Sequence, residues 1–152
     1  MPNSLPGTVL TSAISSTEPM QSIFSARATV QRMLDVEAAL ARSLATAGVI
    51  PASAATSWIR CCHAEQIDLV ALTAEAADAG NLAIPLVRQL TAAVAMLDPE
   101  AARYVHWGAT SQDVIDTGRV LQLRAATELI QDDLAALANS LASLAQIGRA
   151  HV

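Results

Sequence analysis

The side chains best equipped for chemistry fall in one run, Tyr104-Val105-His106-Trp107-Gly108-Ala109-Thr110-Ser111-Gln112-Asp113-Val114-Ile115-Asp116-Thr117, where a polar cluster stands directly ahead of a long helical pattern. A helix that begins at or near Ser111 leaves its first backbone N–H groups without intrahelical partners, and the aligned peptide dipoles place partial positive charge there. Such a corner holds an anion without lysine or metal. Gly108 lets the backbone turn tightly and approach a ligand. Thr110 and Ser111 add hydroxyl donors, Gln112 adds an amide, and His106 can donate a proton or a hydrogen bond near neutral pH. The chemistry these types suit is recognition of a carboxylate. They also have a plain structural reading, with Ser111 as an N-cap, Asp113 and Asp116 bonding the first helical turn, His106 a satisfied loop residue and Trp107 a packing side chain. Asn81, after Gly80, is likewise open to being a turn or a cap.

These residues need a rigid scaffold, and the composition points to an all-α one. The 152 residues are about one domain's worth, 53% of them hydrophobic, which can build a core. Aromatics make up only 3% while alanine abounds, so packing must come from closely approaching aliphatic helices. A net charge of −5 argues against a nucleic-acid surface, which needs a basic patch to displace phosphate counterions. All nine basic residues are arginine. That removes a lysine Schiff base, P-loop lysine or lysine base, whereas arginine's planar fork suits carboxylates. Cys61 and Cys62 are adjacent and read as reduced core thiols. His63, His106 and His151 are too scattered for a metal motif, so no metal is expected. No basic leader and no apolar run approaching ~20 residues is present, which places the chain in the cytoplasm and away from membranes.

Residues 1–18, rich in Ser, Thr and Pro, read as a loose arm. After Pro19 the apolar positions Ile23, Val30, Leu34, Ala41 and Leu44 predict one helix that stops at Gly48 and Ile50-Pro51. A second is expected from Ala52 to about His63 with Trp58, Ile59 and Cys62 inward, and a third from Asp68 to about Asp78. A fourth starts near Pro85, carries Leu86, Leu90, Val94 and Leu97, and ends at Asp98-Pro99. From Ser111 to about Gln146 no proline intervenes, and an apolar row runs through Val114, Leu121, Ala125, Ile130, Leu134, Leu137, Leu141 and Leu144. This predicts one helix of roughly 35 residues, about 50 Å long. So small a domain cannot cover its leucine row, which therefore calls for partner helices. The expected organisation is an arm (1–18), a helical domain (19–110), a long helix (111–147) and an atypical tail (148–152).

The run His106-Trp107-Gly108-Ala109-Thr110-Ser111-Gln112-Asp113 followed by Asp116-Thr117-Gly118 resembles a signature of the fumarase/aspartase superfamily. It is most similar to the branch of 3-carboxy-cis,cis-muconate cycloisomerases. Met20-Gln21-Ser22-Ile23-Phe24, Met33-Leu34-Asp35-Val36-Glu37-Ala38-Ala39-Leu40-Ala41-Arg42 and Ala79-Gly80-Asn81-Leu82-Ala83-Ile84-Pro85-Leu86-Val87 resemble the same branch, so the likeness covers about residues 19 to 146. It implies a small helical amino-terminal domain leading into a central bundle of very long helices that four subunits pool as a homotetramer. It also implies a cofactor-free isomerisation of a small tricarboxylate to a carboxymuconolactone, in protocatechuate degradation. Substrate contacts fall on Asn81, Thr110, Ser111 and Gln112. His106 then orients the loop, meets a substrate carboxylate or acts as a general acid.

The ending departs from that pattern. After Leu144-Ala145-Gln146 the superfamily continues its bundle toward a histidine-bearing segment and, much later, a serine-bearing mobile loop. Gly148-Arg149-Ala150-His151-Val152 fits neither, so His151 receives no role and the chain reads as a truncated amino-terminal portion, inactive by itself. Two other readings remain: a fumarate-releasing lyase of the adenylosuccinate-lyase kind, and a non-catalytic helical association module whose working surface is the leucine row.

Overall fold

The computed structural model of the chain describes residues 14–149. His151 and most of the anticipated arm lie outside them. By their internal contacts the residues fall into two units, Phe24–Gln122 and a second that joins the segment ending at Ile23 to the segment from Leu123 onward. Among the described residues every regular element is helical, as the alanine-rich, aromatic-poor composition predicts.

The helix expected after Pro19 is divided. Helix α1 spans Glu18–Ile23 and α2 spans Ala26–Thr46. Ser25 separates them: its backbone is extended, with φ −64° and ψ 155°, and its hydroxyl accepts from the N–H of Ala28. This capping competes with helix continuation and stops α1. On α2 the anticipated Val30, Leu34 and Ala41 are buried, but so are Met33, Glu37 and Ala38.

Helix α3, Ala52–Arg60, ends three residues before the expected His63. The N–H groups of Cys61 and Cys62 reach back only to the carbonyls of Trp58 and Ile59, closing tighter last turns. Both cysteines are buried free thiols, as expected. Helix α4, Leu69–Ala79, is capped by the Asp68 carboxylate, which accepts from Val70 and Ala71, and ends at Gly80 with φ 62°, a left-handed conformation cheap only for glycine. Helix α5, Ala83–Leu97, carries Pro85 in its first turn, where a missing N–H costs nothing. Leu86, Leu90 and Val94 point inward, whereas Leu97 does not: it is 48% exposed and edges an open cleft of about 360 Å³ with Arg60, Cys61, Gln66, Ala93 and Met96. Trp58, Met33, Leu34, Leu72, Leu86, Leu90, Val94 and Val114 are the largest apolar chains of the dry core of this unit.

Helix α6 is continuous over Ser111–Arg149, 39 residues and about 58 Å at the helical rise. Its start lies across α2, with Val114 and Gly118 buried. A Cβ built on Gly118 would stand 3.1 Å from Met33 Cγ and 3.3 Å from Met33 N, so a larger residue there requires Met33 to give by a few tenths of an ångström. Four residues on, Gln122 Nε2 donates to Thr29 Oγ1 at 3.0 Å. In the other unit Ile130, Leu134, Leu137, Leu141 and Leu144 are 48–63% exposed, the uncovered row that the sequence anticipates.

Candidate functional site

The two polar breaks of the sequence come together. Asn81 follows the left-handed Gly80; its Oδ1 accepts from the N–H groups of Ala83 (2.9 Å) and Ile84 (3.3 Å), capping α5, and its Nδ2 donates to Ser111 Oγ at 3.2 Å. Asn81 is therefore a cap and also a strut that holds the first residue of α6. Beside them opens a cleft of about 300 Å³ lined by Ala83, Ile84 and Val87 of α5 together with His106 and Ser111.

Across the turn before Ser111, Thr110 and Asp113 bond reciprocally. Asp113 Oδ2 accepts from Thr110 N (2.9 Å) and Thr110 Oγ1 (3.0 Å), and Asp113 N donates to Thr110 Oγ1 at 3.3 Å. This is the capping-box arrangement with aspartate in the place of glutamate. The bonds from Thr110, foremost its backbone N–H, hold the Asp113 carboxyl below its usual range. Gln112 Nε2 donates to Asp116 Oδ1 at 2.7 Å on an exposed face. Thr110 and Gln112 are thus engaged with the first turn of α6, while Ser111 and His106 border the cleft. Trp107 is 52% exposed and tilts against Tyr104 with ring centroids 6.0 Å apart, and Arg103 pairs with Glu100 at 3.3 Å.

His106 has a partner that the sequence reading missed. Its Nδ1 lies 2.6 Å from Oε1 of Glu37, 69 residues away, whose side chain is wholly buried in the middle of α2. The signal was available in the spacing: Val30, Met33, Leu34, Glu37, Ala38 and Ala41 follow the three-four repeat of a buried face, and glutamate is the one charged member. The backbone of His106 adopts φ 61°, the left-handed region that a histidine enters rarely. The hydrogen bond to Glu37 raises the His106 pKa above its ordinary value; burial opposes this, and the charges of Glu37 and Asp113 add to the rise. The upward shift favours the charged form of the ring, which stands beside the Ser111 hydroxyl and the amino end of α6. Among the described residues no three His, Cys, Asp or Glu side chains converge to hold a metal. No described helix is long and apolar enough to cross a membrane.

The described residues are all-helical, with a polar corner at the head of a very long helix. The chain belongs to the lyase family, whose sequence pattern matches residues 13–150. Within it, the chain is 53% identical over 131 residues to a 3-carboxy-cis,cis-muconate cycloisomerase of Bradyrhizobium diazoefficiens, a match covering 86% of this chain and 29% of that protein. It is also 53% identical over 128 residues to a protein of the same name from Pseudomonas aeruginosa, covering 84% and 28%. The crystal structure of 3-carboxy-cis,cis-muconate lactonizing enzyme from Pseudomonas putida superposes with a TM-score of 0.83 at 52% identity, over 86% of this chain and 30% of that one. The chain spans less than a third of the length of these relatives.

Proposed function

We propose that this chain supplies the carboxylate-binding corner of an enzyme that converts 3-carboxy-cis,cis-muconate to a carboxymuconolactone. The single observation that carries the reading is the match, at just over half identity, to proteins bearing that activity in their names. The cleft lined by His106 and Ser111 supports it with groups of the right sign. In this reaction one carboxylate of the substrate adds across a double bond of the same molecule and closes a γ-lactone. A proton drawn from solvent is delivered to the carbon beside another carboxylate, so the substrate trianion takes up one proton and becomes the lactone dianion, with no other atom gained or lost. Charge gathers on that second carboxylate as an enolate-like dianion. Donors fixed in advance around it favour the transition state over the ground state. Ser111 and His106 are the direct donors in this proposal; Asn81 holds Ser111, and Thr110 and Gln112 set the turn that presents it. The protein works in the cytoplasm as a homo-oligomer, a tetramer in its complete form, with the leucine row from Ile130 to Leu144 buried between helices of different subunits.

The test is to express the complete product of the gene and follow loss of the conjugated diene of 3-carboxy-cis,cis-muconate, with fumarate release from adenylosuccinate measured beside it. Lactone formation is expected. Ser111→Ala should lower kcat/KM about 10- to 150-fold, the worth of roughly 1.5–3 kcal/mol for a hydrogen bond to a charged group. Fumarate release with the muconate untouched would replace this reading with the adenylosuccinate-lyase one. Inactivity toward both, in a stable defined oligomer, would favour an association module.

A further inference from the structure

Three observations around His106 require a common explanation. Glu37 is an acid at a core position of α2, its side chain has no exposure, and its Oε2 has no hydrogen-bond partner among the described residues. A buried carboxylate is costly unless it is paired, and the group that pairs it is the His106 ring through Nδ1. The backbone of His106 is held at φ 61°, a conformation that persists in a non-glycine residue when its surroundings over-determine it. The same ring borders the cleft beside Ser111.

Deepening the function proposed above and resting on it, we propose that Glu37 is a positioning residue: from the core it orients the His106 ring through Nδ1, so that Nε2–H binds a substrate carboxylate as an anchor, not as the proton donor. With Nδ1 occupied, Nε2 is the nitrogen through which His106 meets a ligand, because the two ring nitrogens have distinct partners. Glu37 on α2 and Asp113 in the first turn of α6 are the ionisable groups that act on the ring. Both favour its charged form, and α5 faces it with the apolar Ala83, Ile84 and Val87. A ring whose charged form is favoured is a good carboxylate partner and a reluctant acid. The left-handed turn at His106 is then the cost of aiming the ring at Glu37.

The first measurement is the pH titration of the His106 ring nitrogens by ¹⁵N NMR on the 152-residue chain, wild type against Glu37→Gln. The wild-type midpoint should lie above the ordinary 6.5, and in Glu37→Gln it should fall to 6.5 or below. A wild-type midpoint at or below 6.5, or an unchanged titration in Glu37→Gln, would overturn the proposal. The wild-type spectrum decides even if the variant does not fold. In the complete gene product, Glu37→Gln should raise KM for 3-carboxy-cis,cis-muconate about tenfold or more with kcat changed less than about threefold, and Glu37→Asp should restore part of the loss. A fall in kcat at constant KM would instead make His106 the proton donor. Absence of muconate turnover in the wild type would sink the proposed function alone, since the ring titration does not depend on the substrate.

Discussion

Replacing His106 by asparagine takes away the hydrogen-bond partner of a wholly buried carboxylate, Glu37, whose other oxygen has none among the described residues. Asparagine tolerates the left-handed backbone at φ 61° better than other short side chains, so the cost reports pairing and not strain. Breaking a buried ion pair from one side costs roughly 3–5 kcal/mol. Here the His106 side chain is 19% exposed, so water can reach part of the vacated space and the lower end, about 3 kcal/mol, is expected. Against a total stability of roughly 5–15 kcal/mol this is large, and with a urea slope of about 1–3 kcal/mol per molar the unfolding midpoint should drop by roughly 1 M or more. Glu37→Gln removes the charge, so the double variant should cost less than the sum of the singles, by at least about 1 kcal/mol. The pH dependence has a definite sign. The folded-state pKa of His106 is raised, so its contribution is complete below the unfolded value near 6.5 and is lost as pH rises through the folded value. The penalty of His106→Asn should therefore be largest near pH 5.5 and shrink toward pH 9. Urea unfolding followed by circular dichroism across that range tests it. A penalty below about 1 kcal/mol at pH 5.5, or one that does not change with pH, would refute the charged-pair reasoning.

Three further outcomes follow from single contacts. Gly118→Ala should destabilise the chain by roughly 1–2 kcal/mol despite the better helix propensity of alanine, because the new Cβ meets Met33 backbone and side chain at 3.1–3.3 Å; an unchanged melting temperature would show that α2 and α6 can separate without cost. Thr110→Ala should cost about 1 kcal/mol through loss of the cap, measured by urea unfolding. The Asp113 carboxyl is held below its ordinary range, so the cap's stabilisation should be present above pH 3.8 and lost as pH falls through the folded value; unfolding that ignores this substitution at every pH would contradict the reciprocal bonds. Burial, with the Glu37 charge adding, pushes the Cys62 thiol up to about 12, so Cys62 should resist iodoacetamide at pH 8 in the folded chain and react once urea unfolds it; rapid native alkylation would be the contrary result.

The residues that make helices and caps were legible because their causes are local. Asp68 before α4, Gly80 after it and Pro85 in the first turn of α5 act within a few positions of themselves, and each lies at or within two residues of the boundary expected for it; the cap of α6 is Thr110, one residue before Ser111, the N-cap of the plain structural reading. The break at Phe24-Ser25 escaped because Ser25 is a local cap set inside a periodic apolar row, and the row outweighed it in the reading. Leu97 fits the spacing of α5, yet its exposure depends on what lies over the last turn, which spacing does not record.

What the sequence alone determined about this protein is its helical class, the uncovered leucine row of a helix too long for its domain, and the polar loop from His106 to Asp113 at the head of that helix. The tertiary structure decided which of those polar residues share a cleft. Asn81 and Ser111 are 30 positions apart and Glu37 and His106 are 69 apart, and pairings at such separations leave no periodic trace. Only when α2, α5 and the start of α6 pack together does a glutamate on a buried face become the partner of a histidine, and a turn asparagine the support of a serine. Glycine at 118 is the clearest case: alone it marks a weak point in a helix, and in the fold it is where two helices touch.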